Sequence, residues 1–260
     1  MIPTHPPARV GGGQSDAMTT TTPSATGPVL VLQHMANDGP AYFATFLRRH
    51  GVPFTVRDTS KGDDFPEDLG EHRALAVLGG EMSVNDDLPS LRRAESLVRQ
   101  AMAAGRPVIG HCLGGQLMAS AMGARIGASP RPEVGWHAVR VDDDPLAHDW
   151  FGSAPGHHVF HWHGEAFELP PGARRLATNA SCPNQAFCIG PHLAMQFHVE
   201  VDAAKLNAWF ADATDPAARA AFRAIEAEPA LAASRLAAQH ALADRLYERW
   251  LLGMADRAPA

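Results

Sequence analysis

Cysteine is scarce in this 260-residue chain, which has three, at positions 112, 182 and 188. An odd number without a Cys-x-x-Cys pair predicts neither a disulfide framework nor a tetrahedral zinc site. Free thiols fit a reducing compartment, so we expect a cytoplasmic location. No apolar run approaches the roughly 18 residues of a membrane span, and the first residues lack the apolar core of a secretory signal. We therefore expect no contact with a membrane.

Positive charge is also limited, because 22 Lys and Arg face 28 Asp and Glu, giving a net charge of −6. Without a basic field, nucleic acid is not an expected partner. The hydrophobic share of 45% is enough to build a packed core in a chain of this length. Residues 1–27 are the exception, because they are rich in Gly, Thr and Pro and have few large apolar side chains. We predict that they form a disordered tail.

From Pro28 onward, short apolar runs alternate with amphipathic segments. This alternation predicts an α/β fold with a mostly parallel sheet and helices on both faces. The predicted strands of this half cover residues 29–32, 53–56, 74–78 and 107–109, and the predicted helices cover residues 40–50, 88–104 and 113–122.

The middle of the chain has a different pattern, with five short strands predicted between residues 136 and 197 at close spacing. Such spacing is typical of antiparallel hairpins added to the parallel sheet. We place one domain at residues 28–201. Residues 202–260 are rich in Ala and Leu, and we predict a helical C-terminal extension packed on the same domain.

The strongest candidate for a nucleophile is Cys112, which follows an apolar strand in the segment Gly110-His-Cys-Leu-Gly114 and precedes a predicted helix. This order is that of a nucleophile elbow, with sulfur in place of a hydroxyl. Glycines at positions 110 and 114 remove Cβ atoms that would collide in the tight turn. The helix N-terminus favours a thiolate. The alternative is a small, buried and inert cysteine.

A partner for this sulfur is offered by His198 and Glu200, at the end of another apolar strand. His198 could accept the thiol proton and later protonate a leaving group, and Glu200 could fix the tautomer of the ring. The backbone amides of Leu113 and Gly80 are candidates for an oxyanion hole. With 14 histidines in the chain, an ordinary buried histidine remains an alternative for position 198, and a plain turn remains one for Gly79-Gly80.

These motifs together resemble the class I, or triad, glutamine amidotransferases, and in particular stand-alone proteins similar to the glutaminase domain of GMP synthase. The resemblance runs from about residue 29 to residue 250 and implies a flavodoxin-like open sheet. It is carried by Gly79-Gly-Glu-Met-Ser-Val-Asn-Asp86, Gly110-His-Cys-Leu-Gly-Gly-Gln116, Glu133-Val-Gly-Trp136, the segment 163–172, Cys182-Pro-Asn-Gln-Ala-Phe187 and Gln196-Phe-His-Val-Glu200.

The family implies a Cys-His-Glu triad that attacks the side-chain amide of glutamine, releasing ammonia and then glutamate through a γ-glutamyl thioester. No cofactor and no metal are expected for this reaction. The roles that it implies are Cys112 as nucleophile, His198 as base, Glu200 as orienting carboxylate, Gly80 and Leu113 as oxyanion hole, and Gln116, His163 and Glu165 as substrate-binding residues.

The chain departs from the family pattern at three positions. Val199 stands where proline is usual between the histidine and the glutamate, Glu81 stands where proline is common, and His111 stands where a small or apolar residue is common. We expect Val199 to be tolerated, and we expect the His111 side chain to point away from the nucleophile. A histidine cluster at positions 157, 158, 161 and 163 could bind a metal, but no cysteine or matching acidic spacing supports this, and alternate histidines on one strand explain it as well.

Three functions remain open at this point. The first is glutamine hydrolysis, with the ammonia passed to a separate synthetase or acceptor subunit. The second is a γ-glutamyl peptidase or hydrolase, which uses the same triad on a γ-glutamyl conjugate. The third is a non-catalytic binding or regulatory protein on the same scaffold. A homodimer is a further expectation, based on the Ala-rich C-terminal helices.

Overall fold

The computed structural model describes residues 27–255, so the predicted disordered tail lies outside the described residues except for Gly27. The described strands form one mixed sheet with the order β2-β1-β3-β4-β9-β8-β7-β5-β6. The strands are β1 (Val29–Gln33), β2 (Phe54–Asp58), β3 (Ala74–Val77), β4 (Val108–His111), β5 (Ile126–Val141), β6 (Gly156–Phe167), β7 (Arg174–Thr178), β8 (Ala186–Ile189) and β9 (His192–Met195).

Helices cover both faces of the sheet, which confirms the predicted α/β class. A short 3-10 helix spans Thr59–Lys61, after β2. The α-helices are α1 (Ala41–Arg49), α2 (Pro89–Ala103), α3 (Leu113–Ala121), α4 (Pro145–Phe151), α5 (Ala203–Asp212), α6 (Pro216–Glu226) and α7 (Pro229–Ala255).

The parallel half of the sheet consists of β2, β1, β3, β4 and β9. Successive side chains of a strand point to opposite faces. In β1, Val29 and Val31 join the apolar cluster that contains α1, α4 and α7, whereas Leu30 and Leu32 join the cluster that contains α2 and α3. A strand covered on both faces must be apolar throughout, which is why this half could be predicted from short apolar runs.

The antiparallel half differs from the prediction mainly in length. The strand expected from residue 136 begins ten residues earlier, and β6 runs six residues beyond the predicted end, so that β5 and β6 form one long hairpin. Pro130 and Pro132 hide this continuity in the sequence, and the pairing shifts register between Ala128 and Glu133 to accommodate them. Helix α4, capped by the Asp144 side chain, was not predicted.

The C-terminal helices pack on the rest of the protein through two surfaces. Residues of α7, including Tyr247 and Trp250, belong to the same core cluster as β1. Helices α5 and α6 form a third apolar cluster against the β5–β6 hairpin, built around Trp209 and Phe222. Asp202 and Asp215 cap α5 and α6, and prolines start α6 and α7, as expected for helix N-termini. Within residues 27–255, no helix is long and apolar enough to cross a membrane.

Candidate active site

Cys112 lies in the turn between β4 and α3 with a backbone φ of 49° and ψ of −110°. A positive φ is uncommon for a residue with a side chain and is held here by the surroundings. A Cβ atom on Gly110 would lie 2.6 Å from the Gly114 carbonyl, and one on Gly114 would lie 2.0 Å from the Val77 carbonyl oxygen. The glycines therefore allow the close approach of strand and helix that creates the elbow.

His198 lies beyond the end of β9, where its backbone N–H donates to the Phe160 carbonyl at 2.8 Å. Its ring Nδ1 is 2.7 Å from Glu200 Oε1. The ring is also close enough to Cys112 for a hydrogen bond to the sulfur. Because Nδ1 faces Glu200, the other ring nitrogen is the one available to Cys112. The structure therefore brings the three predicted catalytic residues together in the predicted order.

The charges around His198 favour its protonated form. Burial alone would lower the pKa of His198, but the attraction of Glu200 and of the Cys112 sulfur, together with hydrogen bonds to both, raises it to about 10. Burial would raise the pKa of Glu200, but Lys205, His198 and His111 hold it well below its usual value. The geometry thus supports an imidazolium beside the sulfur, with an ionised carboxylate behind it.

Lys205 is a buried cation that shares the Glu200 carboxylate with His198. Its Nζ lies 2.9 Å from Glu200 Oε1 and 3.0 Å from the carbonyl oxygen of Gly39, and it forms an ion pair with Asp38. Burial would lower the pKa of Lys205, but the two carboxylates raise it. The ammonium therefore remains charged inside the protein.

His111 points away from the nucleophile, as expected. It is fully buried, its Nε2 lies 3.1 Å from the Tyr247 hydroxyl, and the same nitrogen is 3.9 Å from Glu200 Oε2. Burial lowers the pKa of His111 to about 4, although Glu200 opposes this. A neutral imidazole therefore lies on the far side of Glu200, outside the cavity that contains the sulfur.

A cavity of about 570 Å³ opens directly onto Cys112 and His198. Gly80 also lines it, and a Cβ atom on Gly80 would lie 2.9 Å from Leu113 Cδ2, so these two predicted oxyanion residues are neighbours. Leu113 is the first residue of α3, and the first N–H groups of a helix have no partner within the helix. Trp162 and Trp209 are further walls of the cavity.

The predicted substrate-binding residues Gln116, His163 and Glu165 all line the same cavity. The Gln116 side-chain amide donates to the Glu165 carbonyl at 3.0 Å, and His163 Nδ1 faces that carbonyl at 3.0 Å. The Glu165 carboxylate accepts a hydrogen bond from the Ser83 hydroxyl at 3.0 Å. These contacts fix one wall of the cavity, formed by the end of β6 and the loop after β3.

Comparison with known proteins assigns the family. Residues 44–212, more than half of the chain, match the family model for glutamine amidotransferase class-I. The chain belongs to the class I glutamine amidotransferases. This amidotransferase is 34% identical to the glutamine amidotransferase-like protein YfeJ of Salmonella typhimurium over 180 residues, which are 64% of this chain and 74% of YfeJ.

Two further relatives agree with this assignment. One component of the glutamine-hydrolysing GMP synthase of Ignicoccus hospitalis, a protein named as a single subunit of that enzyme, is 31% identical over 140 residues, which are 52% of this chain and 71% of that protein. The crystal structure of a glutamine amidotransferase from Methylobacillus flagellatus superposes with a TM-score of 0.79 at 34% identity, covering 87% of this chain and 95% of the other. The family and the flavodoxin-like α/β fold expected from the sequence are confirmed.

Below the cavity wall, this amidotransferase has a buried polar network centred on Glu133. Its carboxylate accepts hydrogen bonds from Asn179 at 2.6 Å and Gln185 at 2.6 Å, and lies 3.2 Å from His163 Nε2 and 3.8 Å from His161 Nδ1. Burial would raise the pKa of Glu133, but the hydrogen bond from His163 and the charges of the histidines lower it to about 2.

Two groups of side chains have the composition of a metal site. Ligand atoms of Glu133, His161 and His163 lie within 4.8 Å of one another, and so do those of Asp38, His198 and Glu200. In the first group the Glu133 oxygens already accept the two amides, and in the second Lys205 occupies the carboxylates. These donors compete with a cation, so the absence of a metal stays our expectation.

Two charged residues of the site, Asp38 and Lys205, were missed by the sequence analysis. Asp38 had a usable signal, since it is an acidic residue five positions after β1, and the carboxyl ends of parallel strands are where ligands bind. Lys205 had none, because a lysine in the first turn of an Ala-rich helix is normally solvated.

Proposed function

We propose that this class I glutamine amidotransferase cleaves a γ-glutamyl amide bond with Cys112 as nucleophile, His198 as acid and base, and Glu200 as the orienting carboxylate. The observation that carries the proposal is the buried Glu200–His198 hydrogen bond of 2.7 Å, directed at a sulfur that opens onto a cavity. Cys182 and Cys188 do not compete for this role, because burial raises the pKa of both thiols to about 11.

In the proposed reaction with glutamine, the Cys112 thiolate attacks the side-chain carbonyl carbon and places a negative charge on the oxygen. The amides of Gly80 and Leu113 are positioned to stabilise this charge. Protonated His198 gives its proton to the amide nitrogen, the C–N bond breaks, and ammonia leaves a γ-glutamyl thioester. His198 then takes a proton from water, the hydroxide attacks the thioester, and glutamate leaves as the thiolate re-forms.

The size of the cavity favours a second candidate substrate. A volume of about 570 Å³ lies within the range of about 300–1,000 Å³ typical of sites that enclose whole small molecules, and it exceeds what a glutamine side chain needs. A γ-glutamyl conjugate, with an amine or peptide in place of ammonia, would use this space. The same triad would act on it, because only the leaving nitrogen differs.

A partner protein follows from the relatives rather than from the site. The Ignicoccus hospitalis relative is named as one subunit of a glutamine-hydrolysing GMP synthase, which implies at least one further subunit in that enzyme. We propose that ammonia released by this amidotransferase is passed to a separate synthetase or acceptor subunit. If so, the partner is expected to raise the activity with glutamine by closing the site.

The test is mass spectrometry of the acid-quenched protein after incubation with glutamine or a panel of γ-glutamyl conjugates. We expect a γ-glutamyl adduct on the Cys112 peptide, and no adduct in the Cys112→Ser variant. The donor that gives the fastest adduct formation identifies the substrate class. Absence of an adduct with every donor, together with failure of Cys112 to react with a glutamine-like electrophile, would reject the enzyme and favour a binding or regulatory protein.

A further inference from the structure

Asp38 and Lys205 form a buried ion pair directly beside the triad. Asp38 is 4% exposed and Lys205 is 6% exposed. Lys205 Nζ contacts Glu200 Oε1, the oxygen that also accepts the hydrogen bond from His198. Two ionised groups beyond the three triad residues therefore lie within one contact of the Glu200 carboxylate.

The Asp38 carboxylate is close to the His198 ring as well. Carboxylate oxygens of Asp38 and Glu200 and a ring nitrogen of His198 all lie within 4.8 Å of one another. Gly79 separates Asp38 from His198, because a Cβ atom there would be 2.5 Å from Asp38 Oδ2 and 2.9 Å from His198 Cε1. The imidazole thus has a carboxylate on two sides, with the ammonium of Lys205 touching both carboxylates.

Packing fixes the ammonium in this place. Lys205 Nζ lies 4.9 Å from the centre of the Trp209 ring, and that ring meets the His198 ring at 4.8 Å in an edge-on contact. The Gly39 carbonyl holds a further proton of the ammonium at 3.0 Å. A cation with this many fixed partners acts as a permanent charge in a low-dielectric site, where its effect on neighbours is large.

We propose that Asp38 and Lys205 are positioning residues that together set how strongly His198 holds its proton, with Asp38 strengthening and Lys205 weakening that hold. The inference rests on the proposed function, in which the His198 proton goes to the leaving nitrogen. Two carboxylates and one ammonium leave a net charge of −1 beside His198, which protonation of the ring balances. The pair therefore lets Glu200 stay ionised and aligned without making His198 too basic to release its proton.

The proposal predicts opposite signs for the two single variants. Asp38→Asn leaves Lys205 without its counter-ion, so the titration midpoint of His198 should fall by on the order of one pH unit. Lys205→Met should raise it by a similar amount while preserving the packing on Trp209. The double variant Asp38→Asn/Lys205→Met restores the net charge of −1, so its midpoint should return close to that of the wild type. The other charged or titratable groups that face this site stay in place in all three variants: His111, Cys112, His161 and Glu200.

The experiment needs no substrate. The ring nitrogen signals of His198 are followed by NMR in protein with labelled histidine between pH 6 and about 11, with assignment from a His198→Gln variant. In parallel, the rate at which iodoacetamide alkylates the Cys112 peptide is measured over the same pH range. Asp142→Asn is the matched control, because it removes a carboxylate from an ion pair with Arg175 outside the cavity and should leave both curves unchanged.

Opposite shifts in the single variants and their cancellation in the double variant support the proposal. Equal midpoints in all folded variants, or shifts of the same sign in both single variants, would overturn it. If one single variant fails to fold by circular dichroism, the other and the double variant still decide the question, since their predicted midpoints differ. A donor panel that yields no thioester rejects the proposed function without altering these midpoints, so the two failures are distinguishable.

Discussion

Gly79 is the position at which the smallest change should cause the largest loss of activity. An alanine Cβ there would lie 2.5 Å from Asp38 Oδ2 and 2.9 Å from His198 Cε1. To reach an ordinary contact distance of about 3.4 Å, Asp38 Oδ2 must retreat by about 0.9 Å and His198 Cε1 by about 0.5 Å. Asp38 is tied to Lys205 and His198 is tied to Glu200, so neither can move independently.

The expected size of the effect follows from these displacements. Overpacking by one methyl group in a well-packed region costs about 1–3 kcal/mol of unfolding free energy, which a folded domain usually survives. A misplacement of about 1 Å in a catalytic group can lower the rate by about 100-fold. For Gly79→Ala we therefore expect a folded protein whose Cys112 reacts roughly 10- to 100-fold more slowly with a glutamine-like electrophile.

The assay combines this labelling rate, read by mass spectrometry, with urea unfolding followed by circular dichroism. Gly164→Ala is the matched control, because Gly164 lines the same cavity but a Cβ atom there would meet no atom within 4 Å. We expect the control to react at nearly the wild-type rate. A Gly79→Ala variant that is folded and reacts as fast as the control would refute the reasoning, since the imidazole would then tolerate the displacement.

Three other predictions concern the fold around the site. Gly114→Ala places a Cβ atom 2.0 Å from the Val77 carbonyl, so little folded protein should be recovered, as judged by size-exclusion chromatography of the soluble fraction. Glu133→Gln should lower the unfolding free energy by about 3 kcal/mol in urea at pH 7, because it leaves the buried His163 without its carboxylate. Burial lowers the pKa of His34 from 6.5 to about 4, despite Asp38; the folded state therefore disfavours the charged ring, and on the order of 3 kcal/mol of stability present above pH 6.5 should be lost as the pH falls toward 4. His34→Leu should flatten that part of a urea-unfolding series, and an unchanged slope would contradict it.

The sequence predicts the parallel half of the sheet well because local pattern and tertiary environment agree there. Strand β1 is apolar at four successive positions and is covered on both faces, so the short apolar run is itself the signature of its surroundings. Strand β5 lacks this agreement, since Pro130 and Pro132 interrupt it and one face of its first half is exposed. Its true length depends on pairing with β6, which no local window contains.

The candidate site divides along the same line. The elbow around Cys112 and the His198-x-Glu200 strand are each complete within a few residues, so the residues that must cooperate are already neighbours in the sequence. Lys205 belongs to the site only because α5 packs beside the turn that follows β1, where Asp38 and the Gly39 carbonyl receive its ammonium. The Glu133–His163 pair likewise depends on the register of β5 against β6, in which these two residues are direct partners.

Strand order explains why residues so far apart in sequence meet at one sulfur. The neighbours β1, β3, β4 and β9 run parallel, so their carboxyl ends reach the same edge of the sheet. The register pairs Leu32 with Val77 and Val77 with Gly110, and Gly110 pairs with Ala194. The chain leaves each strand within a few residues of these pairs and places Asp38, Gly79, Cys112 and His198 in the space beyond them. Because this edge is fixed by the buried strands on both sides, the charge of Asp38 acts on His198 with a geometry as constant as that of Glu200, although 160 residues separate the two in the sequence.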